Sequence, residues 1–184
     1  PALADDAIAV GAWTQRKSWP NYRGNSYYYP ALTVDTLAWF SSLGPRIDGL
    51  IKPDVVAPGA ATISTRDSGA GLASTDALVI DNDGLNLNGS GPANYYVNIG
   101  TSMACPHAAG LATLVLEAKP SLTPAELKQT LTSTASSGYA PDNSVGYGLL
   151  NALAAVQTRS SQARIRRPVQ HEEVWPLARA NSVL

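Results

Sequence analysis

The sequence has a single cysteine, Cys105, so no intrachain disulfide can form and a disulfide-stapled scaffold is excluded. No apolar run approaches the roughly 18 residues of a membrane span, so a membrane partner is not expected. Thirteen Lys and Arg against 14 Asp and Glu leave a formal net charge of −1, which offers no electrostatic footprint for nucleic acid. Histidine is almost as scarce as cysteine: His107 and His171 are the whole supply. The N-terminus has no initiator Met, no basic segment and no signal-like apolar stretch, and Pro1 is followed almost at once by the apolar run Ala7-Ile8-Ala9-Val10-Gly11. The chain reads as part of a longer protein.

What is present suits one globular domain, since 45% hydrophobic and 15% charged residues over 184 positions can bury a core. Short apolar runs bounded by Gly and Pro at 7–10, 38–40, 55–57 and 62–64 read as buried strands. Residues 12–36 form a long irregular stretch with Trp13, Trp19, Tyr22, Tyr27, Tyr28 and Tyr29. Such a stripe could line a peptide-binding surface, but a loop packed on itself is the ordinary reading. Residues 77–89 alternate around Asp83-Gly84, which predicts a hairpin turn.

From 102 to 118 the apolar residues go round the whole helical circumference, which predicts a helix buried on all sides. A second helix is announced by Thr123 as N-cap, Pro124 in the first turn, Glu126 closing a capping box, and Leu122 with Leu127 as a hydrophobic staple. Leu149, Leu153 and Val156 suggest a third. Strands followed by a buried helix and amphipathic helices favour an α/β sandwich with a mostly parallel sheet. The folded part should span 1–158. Residues 159–184, rich in Ser, Gln and Arg, read as a linker or tail.

The candidate nucleophile is Ser102, within Gly100-Thr101-Ser102-Met103-Ala104-Cys105-Pro106-His107. A serine that attacks a carbonyl needs an exposed hydroxyl, a base, and donors for the developing oxyanion. Gly100 permits a tight turn just before the helix, so Ser102 would lie at its N-terminus with unpaired N–H groups and the positive end of the macrodipole. The bland alternative is an ordinary Ser or Thr N-cap.

The surrounding segments weigh against that alternative. Residues 100–110, Gly-Thr-Ser-Met-Ala-Cys-Pro-His-Ala-Ala-Gly, resemble the nucleophile signature of the subtilisin-like serine proteases. Phe40-Ser41-Ser42-Leu43-Gly44-Pro45 and Lys52-Pro53-Asp54-Val55-Val56-Ala57-Pro58-Gly59 resemble the family's two preceding strand segments. Leu122-Thr123-Pro124-Ala125-Glu126-Leu127 and Gly146-Tyr147-Gly148-Leu149-Leu150-Asn151 resemble its last two helix starts. The resemblance implies a subtilisin-like three-layer sandwich lacking its N-terminal strands, and a serine endopeptidase acting on a protein or peptide substrate. It also implies Ser102 as nucleophile in an Asp-His-Ser triad, Gly100, Thr101 and Ser102 as the oxyanion and nucleophile loop, and an extracellular setting.

No segment resembles the family's His-Gly-Thr-His helix or its oxyanion Asn, so the missing N-terminal part of the same catalytic domain is an expected partner. On a helix His107 is rotated by about 140° and displaced by about 7.5 Å from Ser102, which suits a structural histidine and not the base. His171 follows the nucleophile, which is the wrong order. Asp67 and Asp81 mimic the family's Asp motif but come after residues 52–59, which the family Asp should precede. Asp81, Asp83 and Asn86 have the wrong spacing for an EF-hand, so a hairpin turn is favoured over a metal site there. No cofactor is expected, and although the resemblance leaves calcium open, no calcium ligand can be mapped.

Aligned without gaps, Pro1 and Ala2 fall at the edge of the family's substrate side-chain pocket. Asp54, after a Pro and opening a buried strand, reads as structural and not as facing a cleft. Cys105 reads as a small buried helix residue. An α/β-hydrolase reading lacks the final Gly of G-x-S-x-G, and the sedolisin group is disfavoured by Pro106-His107. The alternative from another class is an inactive fragment or pseudoprotease serving as an interaction module. Alone, the chain should be only marginally stable, with an exposed apolar edge and face.

Overall fold

The computed structural model describes residues 2–67, 69, 77–80, 88–89, 93–136 and 140–158. Pro1, Asp81, the Asp83-Gly84 turn, Asn86, His171 and the 159–184 tail lie outside the described residues.

The central sheet runs β4-β1-β5, with β1 spanning Val10–Thr14, β4 Thr36–Leu37 and β5 Val55–Pro58. β1 and β5 are parallel, in register from Val10↔Val55 to Trp13↔Pro58, and a parallel bridge Val56↔Leu149 extends the ladder. β4 closes the other side antiparallel. A hairpin pairs β2 (Ser18–Pro20) with β3 (Ser26–Tyr28), and a second antiparallel sheet runs β6-β8-β7, from Thr62–Thr65, Tyr95–Asn98 and Val79–Ile80. Among the described residues three helices follow: α1 (Thr101–Ala118), α2 (Pro124–Ser133) and α3 (Ala152–Gln157). α1 packs on β1 and β5, while α2 and α3 pack on α1.

Several expectations shift in detail. The first strand starts at Val10, because residues 7–9 are held by side chains: the Ala9 N–H donates to the Asp54 carboxylate at 2.7 Å. The strand expected at 38–40 is instead Thr36–Leu37, since a turn bond from Ser41 N–H to the Ala38 carbonyl ends the ladder. β6 forms where expected, but it is largely exposed. The stretch 12–36 is no structureless loop, though its aromatics do pack together. Trp19 and Tyr22 are buried, and the rings of Trp19 and Tyr29 lie 5.0 Å apart.

α1 is not buried all round. Ala104, Ala108, Leu111 and Val115, spaced 4, 3 and 4 apart, form its one buried stripe. Cys105 falls about 100° away from Ala104 and is exposed, which corrects the expected burial. α2 carries the full punctuation: Glu126 N–H donates to Thr123 Oγ1, Thr123 N–H donates to Glu126 Oε2 at 2.8 Å, and Pro124 opens the first turn. Leu122 and Leu127 pack against one cluster with Leu111, Val115, Leu131 and Ala155. The third helix starts later than expected. Asn151 Oδ1 accepts from Ala154 N–H as its cap, so Leu149 is left on the bridge to β5.

Candidate active site

Ser102 is exposed, on the second residue of α1, and the N-cap is Gly100 rather than a serine. The capping alternative therefore fails. Gly100 has φ 149° and ψ 159°, a left-handed-side conformation open to glycine and strained for a residue with a Cβ. Its carbonyl receives both the Met103 N–H at 3.0 Å and the Ala104 N–H at 3.3 Å. With no side-chain cap, the N–H groups of Thr101 and Ser102 are unbonded among the described residues.

The loop is fixed from below. Gly100 N–H donates to the Gly59 carbonyl at 2.8 Å, which ties the start of α1 to the end of β5. A Cβ on Gly59 would lie 2.6 Å from Ala12 Cβ and 2.9 Å from the Gly100 carbonyl oxygen, so glycine alone allows this approach. The floor is built of small side chains, Ala12, Ala57, Ala60 and Ala104, with Phe40, Ile99 and Leu150 packed around them. α1 has no acidic residue in its first turn, so no carboxylate there competes for the free N–H groups. A developing negative charge at Ser102 would meet these donors and the positive end of an 18-residue helix.

Ser102 borders a pocket of about 290 Å³ with Thr62, Ile63, Ser64, Met103, Pro106 and His107. His107 thus faces the same space, but no hydrogen bond joins it to Ser102. Its Nδ1 is 2.9 Å from the Met103 carbonyl, and because a carbonyl only accepts, Nδ1 carries the proton. Asp67 lies in an exposed turn, accepting from the Gly69 N–H. Among the described residues no group of three or more His, Cys, Asp or Glu could hold a metal, and no helix is long and apolar enough to cross a membrane.

On the other side of the loop, Thr101 borders a smaller pocket of about 190 Å³ whose wall includes Ala2, Leu3, Ala9, Val10, Leu43, Lys52 and Pro53. Of the two expected pocket residues, Ala2 is thus brought beside the nucleophile loop. Asp54 is buried and bonded, as a structural residue should be, yet it also borders a surface pocket with Arg46, Lys52, Lys128 and Tyr147, contrary to the expectation that it faces no cleft. Burial pushes its pKa up, but hydrogen bonds from Lys52, the Ala9 N–H and Lys128 prevail and hold it below the usual carboxylate range. Sequence reasoning missed the lysines around Asp54 and the Gly59 contact. Lys128 is 74 positions from Asp54, beyond any local pattern, whereas Gly59 directly after Pro58 was a readable sign of close approach.

The profile of the Subtilase family matches residues 1–148. Serine protease AprX of Bacillus subtilis is 38% identical over 157 residues, covering 85% of this chain and 31% of the relative. Pyrolysin of Pyrococcus furiosus is 38% identical over 126 residues, covering 63% of this chain and 7% of the relative. Among solved structures, fervidolysin of Fervidobacterium pennivorans, described as a keratinolytic enzyme related to subtilisin, superposes with a TM-score of 0.58 at 28% identity, over 87% of this chain and 20% of that one. The chain spans less than a third of the length of these relatives. Its fold class is subtilisin-like, with the parallel β1–β5 pair at its centre, and a match over four-fifths of its residues means that the chain belongs to the subtilase family.

Proposed function

We propose that this chain is the nucleophile-bearing part of a serine endopeptidase that hydrolyses peptide bonds in proteins or peptides outside the cell. The observation that carries the reading is Ser102 exposed at the start of α1, next to two unbonded N–H groups, on a loop held by glycine contacts. Ser102 Oγ attacks the scissile carbonyl while a base takes its proton. The carbonyl oxygen becomes an oxyanion, received by the Ser102 N–H within the Gly100, Thr101, Ser102 loop. The acyl-enzyme then forms as the amine leaves with a proton, and water hydrolyses it. The pocket that Ala2 and Thr101 border takes a substrate side chain.

His107 does not serve as the base here, because no hydrogen bond joins its ring to Ser102 and its Nδ1–H is tied to the carbonyl of its own helix. The base, its orienting acid and a further oxyanion donor come from outside this chain. That arrangement also favours a second reading for the chain in isolation, an inactive interaction module. One experiment separates them. A fluorophosphonate probe should label Ser102 in the full-length protein, and Ser102→Ala should abolish both labelling and peptide hydrolysis, while residues 1–184 alone hydrolyse negligibly. Unimpaired hydrolysis by the Ser102→Ala protein would sink the endopeptidase reading, and labelling of neither form would favour the module.

A further inference from the structure

Two lysines and one aspartate meet at a point that the nucleophile loop does not use. Asp54 is 7% exposed and Lys52 is 8% exposed, so both charges need partners. Asp54 Oδ2 accepts from Lys52 Nζ and from the Ala9 N–H, each at 2.7 Å, and Oδ1 is 3.1 Å from Lys128 Nζ. One carboxylate thus faces two ammonium groups. The surplus donors all turn to one segment: Lys52 Nζ donates to the Ala7 carbonyl at 3.2 Å, and Lys128 Nζ to the Ala7 carbonyl at 3.1 Å and the Asp5 carbonyl at 3.2 Å.

What these charges grip is therefore the chain from residue 5 to residue 9, just before β1. Ala9 at the end of the grip, with Ala2, Leu3 and Val10 on either side of it, makes one wall of the 190 Å³ pocket beside Thr101. Lys128 belongs to α2, in the helix layer that packs on α1. It fixes the wall to the body that carries Ser102. Val10 and Ala9 are tied to β5 by backbone bonds and the Leu3 carbonyl accepts from Arg46, but residues 4–8 between them form no strand, so no ladder holds the gripped segment.

We propose that Lys52, Asp54 and Lys128 form a clasp that positions the wall of this pocket, making Lys128 a positioning residue for the apolar side chain that a substrate places beside Ser102. The proposal rests on the reading of Ser102 as nucleophile. A pocket of this kind separates substrates by fit, and a wall displaced by about 1 Å costs roughly tenfold or more. Lys128 touches neither this pocket nor the nucleophile loop, so its loss should alter selectivity and leave the bond-breaking step alone.

The test compares two peptide substrates that differ only in the residue bearing the attacked carbonyl, Leu or Ala, with the full-length protein. Lys128→Met should raise KM for the Leu substrate roughly tenfold and leave kcat, and both constants for the Ala substrate, within about twofold. Lys128→Arg should restore the Leu substrate to within about twofold, since it keeps the charge. Fluorophosphonate labelling of Ser102 should stay unchanged in both variants. Equal losses for both substrates, or a fall in kcat that follows a fall in Tm, would overturn the clasp while leaving the nucleophile reading intact. If Lys128→Met does not fold, Lys128→Gln takes its place with the same outcomes. Wild-type protein that is not labelled at Ser102 would overturn the nucleophile reading, and the clasp with it.

Discussion

Helix α1 carries nearly the same apolar composition on two faces and meets very different surroundings with them. One face, Ala104, Ala108, Leu111 and Val115, lies against β1, β5 and the other helices. The other, the remainder of the circumference, exposes Cys105 and Leu116 on one flank of that stripe and His107 and Leu114 on the opposite flank, with Leu114 51% and Leu116 36% accessible. The contrast teaches that an all-round apolar helix states a need for cover on every side without saying which cover this chain supplies. Under the proposed function, the open face belongs against the part of the catalytic domain that brings the base.

The comparison breaks most easily behind the packed face. Asp54→Asn leaves two ammonium groups around a neutral amide and should cost about 3–5 kcal/mol in urea unfolding at neutral pH. The same carboxylate gives a pH signature. Its folded pKa is below its unfolded value, so its stabilisation is complete above about pH 4 and disappears as pH falls through the lower folded value. Wild type should therefore lose more stability between neutral and strongly acidic pH than Asp54→Asn; equal losses would show that this carboxylate carries none of the acid sensitivity.

On α1 itself, Leu111→Ala should cost about 2–5 kcal/mol, because the side chain is buried against Leu131 and Ala155. Removing the α2 cap with Thr123→Ala should cost about 1 kcal/mol. Leu114→Ala, on the open face, should stay within about 0.5 kcal/mol in this chain. If Leu114→Ala proves as costly as Leu111→Ala, the two faces are equally covered and the contrast is lost.

Much of the site was legible in the sequence, and the reason is that it is local. The Gly-Thr-Ser run, the start of α1 and the box of α2 are each fixed by residues a few positions apart. The depth of burial was not. Whether Cys105 faces in or out depends on which stripe of α1 meets β5, which no window of sequence contains. Likewise β4 ends at Leu37 because of a turn bond, where the apolar run alone continued to Phe40. The grip on residues 5–9 joins amines from β5's threshold and from α2, and only the folded chain brings them together.

The Gly59–Gly100 contact has a consequence for tolerance. At this one contact backbone touches backbone, with no side chain between the end of β5 and the start of α1 to absorb small errors. Any displacement of β5 is handed to Ser102 undiminished. The nucleophile is thus as accurate as the sheet beneath it and no more forgiving, so drift in evolution or engineering along β5 should register at the hydroxyl before it registers in the fold.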